Sequence, residues 1–412
     1  MTRPTNMKKI FILIAMLSLA VAYLYGFSQR GKDALITLHA SFPPGTVFVK
    51  QSSKPLVFEV SKPGEGGLPN FVVIAEGHGY GGPLQVASII TPAGVVKKTI
   101  VVANKETPSW FRKVLENSFF NQFTDLKVAA PMLESTVKSK GIDMVTGATV
   151  SSKAFTTAIR AGSHAVGRQY LHQSIAEQEA DWAFGRNEII LLLLYGIILL
   201  GSLKKLPKLR YLTLLSGLVF IGFYLSNPIS LSSFSALLLG YFKPLKEELF
   251  WWLLVGGSLL MTLVLGKNLY CSWLCPFGAI QEMVAKLGGI SVKLDKKVVR
   301  YVKYLSYFLT WLALMVIFTT SNGPLGSYEP FGTIFGYQGV GAQWFILPVV
   351  ILGSFVLPMF WCRFFCPVGV VLNLTGIVRR TVNRMMGSSK RPAPPEVLLP
   401  KHVEADCPRK VA

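Results

Sequence analysis

Five apolar runs crowd the second half of this chain, roughly Asn187–Leu203, Tyr211–Leu225, Leu249–Gly266, Leu305–Thr320 and Trp344–Trp361. A sixth, roughly Ile10–Phe27, lies before a long polar stretch. Each is long and apolar enough to cross a bilayer core of about 30 Å. In that solvent no water satisfies the backbone, so such runs must fold as helices. Only 15% of the 412 residues are charged, against about a quarter in soluble domains. The first run follows Lys8 and Lys9, as a signal peptide would. "VAYLYGF" at its end offers no small-x-small cleavage site, so an uncleaved anchor is expected.

A net charge of +21 can signal nucleic acid. Its distribution points to a membrane instead, and no nucleic-acid partner is expected. Lys8 and Lys9, "KKLPKLR" (Lys204–Arg210), the cluster Lys286, Lys293, Lys296, Lys297, Arg300 and Lys303, and the run Arg379, Arg380, Arg384, Lys390 and Arg391 all fall on one side of the spans. The alternate segment Ser321–Gln343 has no Lys or Arg, and Lys243 and Lys246 face Glu247 and Glu248. Basic loops mark the cytoplasm, so both termini are expected inside and Gln29–Arg186 outside. Trp251, Trp252 and Trp344 are expected as interfacial anchors. The basic tail is expected to lie against lipid headgroups.

The outer segment reads as a mixed α/β domain near Leu35–Val166. "FVVIAEG", "LQVASIITPAG" and "VVKKTIVVAN" carry strand composition. "SWFRKVLENSFFNQF" and "TVSSKAFTTAIRAGSHAVGRQYL" carry helical spacing. The second helix begins near Thr149. A helix N-terminus favours a phosphate, and the small Gly147 and Ala148 let a bulky group approach the backbone. Read alone, Thr149 is an ordinary helix cap.

"HGYGGPLQVASIITPAG", "ETPSWF", "NQF" and "DMVTGATVSS" follow one another in that order. Together they resemble the FMN-binding domain of NqrC and RnfG subunits and of NosR-type proteins. The resemblance implies FMN held by a phosphoester to Thr149. It also implies a flavin transferase that recognises Asp143 ahead of Thr146, Gly147 and Ala148. Glu106 and Thr107 of the "ETP" element are further candidates for flavin contact. For Glu106 and His78 a turn or packing role competes with that reading. Ser109-Trp110 departs from the family, which often has glycine after "ETP".

Four of the five cysteines form two copies of one motif. "YCSWLCPFG" carries Cys271 and Cys275, and "WCRFFCPVG" carries Cys362 and Cys366. The copies extend upstream to "FSALLLGY" and "FGTIFGY" on outer loops. Spacing i,i+4 predicts both thiols of a pair on one helical face, at the cytoplasmic end of a span. Two thiols cannot complete a metal site, but two copies supply four. Thiolates favour iron–sulfur clusters or zinc. The following proline resembles ferredoxin ligation. A disulfide is disfavoured on the reducing side. Buried structural cysteines are the plain alternative, and duplication speaks against it.

This half resembles the membrane part of NosR, NapH and CcoG-type polyferredoxins. The resemblance implies an iron–sulfur cluster, 4Fe-4S in type. Where NosR-type chains often continue into ferredoxin modules, this sequence carries "DCPRKVA" with Cys407 alone. A separate ferredoxin-like partner is expected.

The expected fold class is therefore an α+β extracytoplasmic FMN domain joined to an all-α polytopic membrane domain, with about six transmembrane helices, N-in and C-in. The expected divisions are an anchor over 1–30, the FMN domain over 31–186, a five-helix membrane domain over 187–383 and a basic tail over 384–412. The expected location is a bacterial inner membrane, with the FMN domain periplasmic. His39, His78, His164, His172 and His402 all lie outside the spans, which excludes a bis-histidine haem within the bilayer. The expected function is electron transfer from a quinol or a cytoplasmic donor, through the cluster and FMN, to a periplasmic reductase system, nitrous oxide reductase among the options. Whether the chain is an enzyme, such as a quinol dehydrogenase component, stays open. A redox sensor and a maturation factor for a partner metalloenzyme are the other readings.

Overall fold

The computed structural model describes residues 4–385, apart from 31, 62–67, 80, 107, 133–140, 147, 177–181, 183, 290–294, 338 and 340. After helices α1 (Pro4–Gln29) and α2 (Lys32–Ala40) comes a sheet of five strands. These are β1 (Val47–Ser53), β2 (Leu56–Ser61), β3 (Asn70–His78), β4 (Pro83–Ile90) and β5 (Val96–Asn104). Each pairs antiparallel with the next, in chain order. The last three strands match the expected ones, and β1 and β2 extend the sheet beyond them.

Both faces of the sheet are covered. Helix α3 (Pro108–Glu116), a 3₁₀ turn (Phe119–Phe123) and α4 (Thr149–Gln169) follow β5. Val73 on β3 joins Phe155 and Ile159 of α4 in one core. Its neighbours Val72 and Ile74 join Leu38 of α2 in another. This alternation is the period-2 rule of a strand at work. α4 sits close to the sheet. A β-carbon on Gly162 would lie 3.1 Å from that of Ala75, and one on Gly77 would lie 2.3 Å from the carbonyl oxygen of Ala154.

The rest is helical. α5 (Arg186–Lys204) leads to α6 (Pro207–Gly217), which continues as a π-helix over Leu218–Tyr224. α7 (Leu231–Leu239) is short. α8 (Leu249–Trp251), a π segment (Trp252–Gly256) and α9 (Gly257–Leu265) form one apolar rod. A π turn (Tyr270–Leu274) then opens α10 (Pro276–Gly288). The second half repeats the plan with α11 (Lys296–Thr320), the short α12 (Gly323–Gly326) and α13 (Phe331–Phe335), the apolar α14 (Gln343–Val356), α15 (Phe360–Phe364) and α16 (Pro367–Met385).

Among the described residues, three helices are long and apolar enough to cross a membrane: Lys9–Gln29, Arg186–Lys204 and Tyr301–Thr320. Leu249–Leu265 and Gln343–Val356 are apolar but shorter. The run expected over Tyr211–Leu225 is divided between α6 and its π continuation, where close neighbours crowd the backbone. A β-carbon on Gly217 would lie 2.2 Å from the carbonyl oxygen of Leu274.

α1 and α11 run side by side in the same direction. Trp311 donates to Ser18 Oγ at 3.1 Å, Tyr23 and Phe318 pack edge to face, and Arg30 donates to Ser321 Oγ at 3.2 Å. One expected anchor is corrected. Trp251 is buried in the helical core, with Lys243 Nζ 5.7 Å from its ring centroid. The cation covers the indole face that lipid headgroups would otherwise meet.

Candidate flavin and iron–sulfur sites

Cys271, Cys275, Cys362 and Cys366 are free thiols. The expected i,i+4 helical pair is not what forms. Cys275 donates its backbone N–H to Tyr270 at 2.8 Å, and Cys366 donates to Trp361 at 3.0 Å. Both are i→i+5 bonds, wider than an α-turn. Proline is the cause. The residue before a proline is pushed out of the α region, and Cys275 is extended at φ −61 and ψ 118. Each second cysteine therefore stands just before a new helix, with Pro276 or Pro367 at its first position, where a missing N–H costs nothing. The backbone N–H of Gly369 points at Cys366 Sγ (3.4 Å), and those of Phe277 and Gly278 bond to Cys275. A thiolate there is stabilised by N–H groups and by the positive end of the helix dipole.

The chain folds back on the bundle ahead of the first cysteine turn. After α9 the chain turns at Gly266 (φ +69), where a β-carbon would lie 3.6 Å from Arg379 Cδ. It then re-enters the bundle before Cys271. Arg379 lies towards the far end of α16, whose start adjoins Cys366. α10 has 13 residues and α16 has 19, about 20 and 28 Å at 1.5 Å per residue. The first basic side chains on them, Lys286 and Arg379, stand near the far ends.

The two copies face each other. Cys271 lies within electrostatic range of Cys366, and Cys362 within range of both Cys271 and Cys275. Among the described residues, no three His, Cys, Asp or Glu groups close on a single point as one metal ion requires. A cubane differs, because each thiolate binds a different iron and the four stand apart. Four inward thiols with N–H donors and apolar walls of Phe277, Trp361 and Phe364 fit such a cluster. Cys407 lies outside the described residues.

The flavin motifs are brought together as well. Gln122 of "NQF" accepts the N–H of Asp143 at 2.8 Å and donates to its carbonyl at 3.1 Å. This clamps the segment entering α4. Asp143 and Thr146 are exposed and Ala148 is buried. Ser152 Oγ donates to Ala148 O at 2.9 Å and accepts from Val145 N at 3.2 Å, closing the turn before the helix. Thr149 begins α4. Its side chain, Gly147 and Thr107 lie outside the described residues. Glu106 is buried and accepts the N–H of Gly81 at 3.2 Å, so "ETP" and "GYGG" meet through it. A β-carbon on Gly82 would lie 3.0 Å from Lys105 Cβ. The glycine loop is thus packed tightly against Lys105 and Glu106 and has no room for side chains of its own.

Composition and spacing gave no sign of what links the two sites. The "GYGG" loop opens onto α7. His78, Gly79 and Gly82 line one wall of a cleft, and Ser232, Ser233 and Tyr241 line the other. The start of α7 is fixed from the cysteine side. The N–H of Ile229 donates to the hydroxyl of Tyr270, next to Cys271, at 3.0 Å. The N–H of Leu231 donates to Glu329 at 2.6 Å. Tyr328 beside it donates to the carbonyl of Phe365, next to Cys366, at 2.6 Å. The one hint was a carboxylate, Glu329, in a segment with no basic residue.

Comparison with known proteins agrees with both sites. A model of the FMN-binding domain matches residues 79–163. A model of the 4Fe-4S binding domain matches 248–295 and 343–384, one cysteine pair in each. The regulatory protein NosR of Stutzerimonas stutzeri is 27% identical over 193 residues, 42% of this chain and 26% of that protein. Protein NirI of Paracoccus denitrificans is 27% identical over 203 residues, 45% of this chain and 30% of that protein. A component of the proton-translocating ferredoxin:NAD(+) oxidoreductase complex of Clostridium ljungdahlii is 36% identical over 91 residues, 22% of this chain and 49% of that component. The chain thus spans between about a quarter and a half of the length of these relatives. It combines an FMN-binding domain with a 4Fe-4S ferredoxin-type domain, an architecture that fits the NosR type. The matching domains make its cofactors FMN and an iron–sulfur cluster.

Proposed function

We propose that this protein carries electrons from a quinol or a ferredoxin-like cytoplasmic donor, by way of the inner thiol site, to FMN on the outer side and on to a periplasmic reductase system. Nitrous oxide reductase is one such system. When bound, the cluster passes single electrons and FMN accepts them one at a time. The FMN is held covalently at Thr149, placed there by a flavin transferase that reads Asp143. The spans are completed by α6 with its π continuation, α8–α9 and α14, making about six, with both termini cytoplasmic. The divisions at 30, 186 and 383 follow from that topology.

The observation that carries this reading is α7. Its nine residues, about 13 Å, start at groups bonded beside Cys271 and Cys366 and line the cleft that "GYGG" closes. Sites on opposite faces of a bilayer core about 30 Å thick stand too far apart for direct transfer. α7, bonded beside both cysteine turns and lining the cleft, brings the two cofactor sites nearer. The test is reduction of protein-bound FMN in sealed vesicles by a quinol or a reduced ferredoxin. The reading fails if FMN stays oxidised while the cluster is reduced.

A second reading is favoured by the name of the NosR relatives, a regulatory protein. A sensor would take up one stoichiometric charge of electrons, whereas a conduit would turn over as long as an outer acceptor is supplied.

A further inference from the structure

The cysteine repeats are not equivalent around the thiols. Gln281 of α10 is fully buried. Its Oε1 accepts the backbone N–H of Trp361 at 2.8 Å, and its Nε2 donates to Cys362 Sγ at 3.1 Å. The orientation of the amide is fixed. A backbone N–H can only donate, so the oxygen must face Trp361 and the NH₂ must face the sulfur. Gln281 thus reaches from the first repeat to the first cysteine of the second. Counting from the cysteine–proline step, its counterpart in the second repeat is Leu372, also fully buried. Leucine has no donor. Among the described residues, the side-chain partner of Cys271, the thiol that Leu372 would serve, is the local Asn268.

We propose that Gln281 sets the reduction potential of the cluster and makes it electronically lopsided, with Cys362 the thiolate relieved by a donor from the opposite repeat. The proposal rests on the reading that the four thiols hold a 4Fe-4S cluster. Reduction adds negative charge to the iron and sulfur atoms. An N–H donor aimed at a ligating sulfur favours the more negative state and raises the potential. The bond is buried and charge-assisted, the stronger class of hydrogen bond. Its removal should shift the reduction equilibrium roughly tenfold, which is about 59 mV for one electron. Gln281 is a positioning and tuning residue and ligates no iron.

The test is an EPR-monitored redox titration of the full chain in nanodiscs, with iron content measured alongside. Gln281→Leu should keep the iron and titrate at a more negative potential. Leu372→Gln, which offers Cys271 the missing donor, should titrate at a more positive one. Gln281→Glu keeps the acceptor for Trp361 and loses the donor to sulfur. It should also move negative, and it decides the matter if the leucine variant assembles no cluster. Gln281 variants with iron bound and wild-type potential would overturn the proposal. A wild-type protein with no cluster signal would overturn both the proposal and the reading beneath it.

Discussion

The carboxylate of Glu106 occupies the space that a side chain on Gly79 would need. A β-carbon there would lie 1.5 Å from Glu106 Oε1, a separation no packing tolerates. The same carboxylate accepts the N–H of Gly81, so one buried group sets the shape of the loop facing α7. Gly79→Ala is expected to displace the loop or Glu106 and to destabilise the FMN-binding domain by about 1–3 kcal/mol, the usual cost of overpacking. Glu106→Gln keeps the acceptor and should cost less. Thermal unfolding followed by flavin fluorescence compares the two.

Thr149→Val is expected to remove covalent flavin without unfolding the domain, since α4 is anchored by Phe155 and Ile159 rather than by its first residue. Fluorescence of the denatured protein on a gel reads attachment directly. Asp143→Ala should slow attachment while leaving Thr149 competent. A time course with added flavin transferase distinguishes slow labelling from none.

Cys366→Ser is expected to abolish iron and acid-labile sulfide while leaving flavin in place. Serine keeps the helix cap but lacks the thiolate that iron requires. Equal iron in mutant and wild type, purified without oxygen, would remove the cysteines from the cluster.

Arg210 grips Glu282 with two bonds, at 3.0 and 2.7 Å, and donates to the carbonyl of Ser272 at 2.9 Å. It ties α6, the first cysteine turn and α10 together. Arg210→Lys loses the paired geometry. It should cost about 1–2 kcal/mol, since the pair is partly open to solvent. The readout is faster cluster loss on mild heating, measured from the visible absorbance of the iron–sulfur centre.

Glu329→Leu removes the acceptor that holds Leu231 and leaves its N–H unpaired, at about 1–3 kcal/mol. Iron and flavin content should stay normal, because the carboxylate bonds to Leu231 and Ser327 rather than to Cys366. Electron transfer from reduced cluster to FMN should slow, as stopped-flow spectra would record. An unchanged rate would remove α7 from the route.

The parts that the sequence disclosed were those governed by neighbouring residues. Apolar runs, cysteine spacing, and the order "GYGG", "ETP", "NQF", "TGAT" all belong to short windows. The contacts that join them do not. Gln281 meets Cys362, and Glu329 meets Leu231, across long stretches of chain, and no periodicity records such pairs. The cysteine spacing misled locally for a stated reason. An i,i+4 rule assumes an unbroken helix, and Pro276 and Pro367 break it at the second thiol. β1 and β2 went unread although "VFVKQSSKPLVFEV" is rich in β-branched and aromatic residues.

At the end of α1, Arg30 donates to the carbonyl of Leu239 at 2.9 Å and lies 4.8 Å from the ring centroid of Tyr241, a wall of the cleft. Lys105, beside Glu106, donates to the carbonyl of Thr320 at 3.2 Å. The FMN-binding domain is therefore moored to the bundle on the cleft side, rather than hung from a loose cord. On the proposed electron path, delivery to the flavin would be a first-order event, independent of how many copies the membrane holds. Dilution in lipid should leave it untouched, while any exchange with a free-floating carrier must slow in proportion.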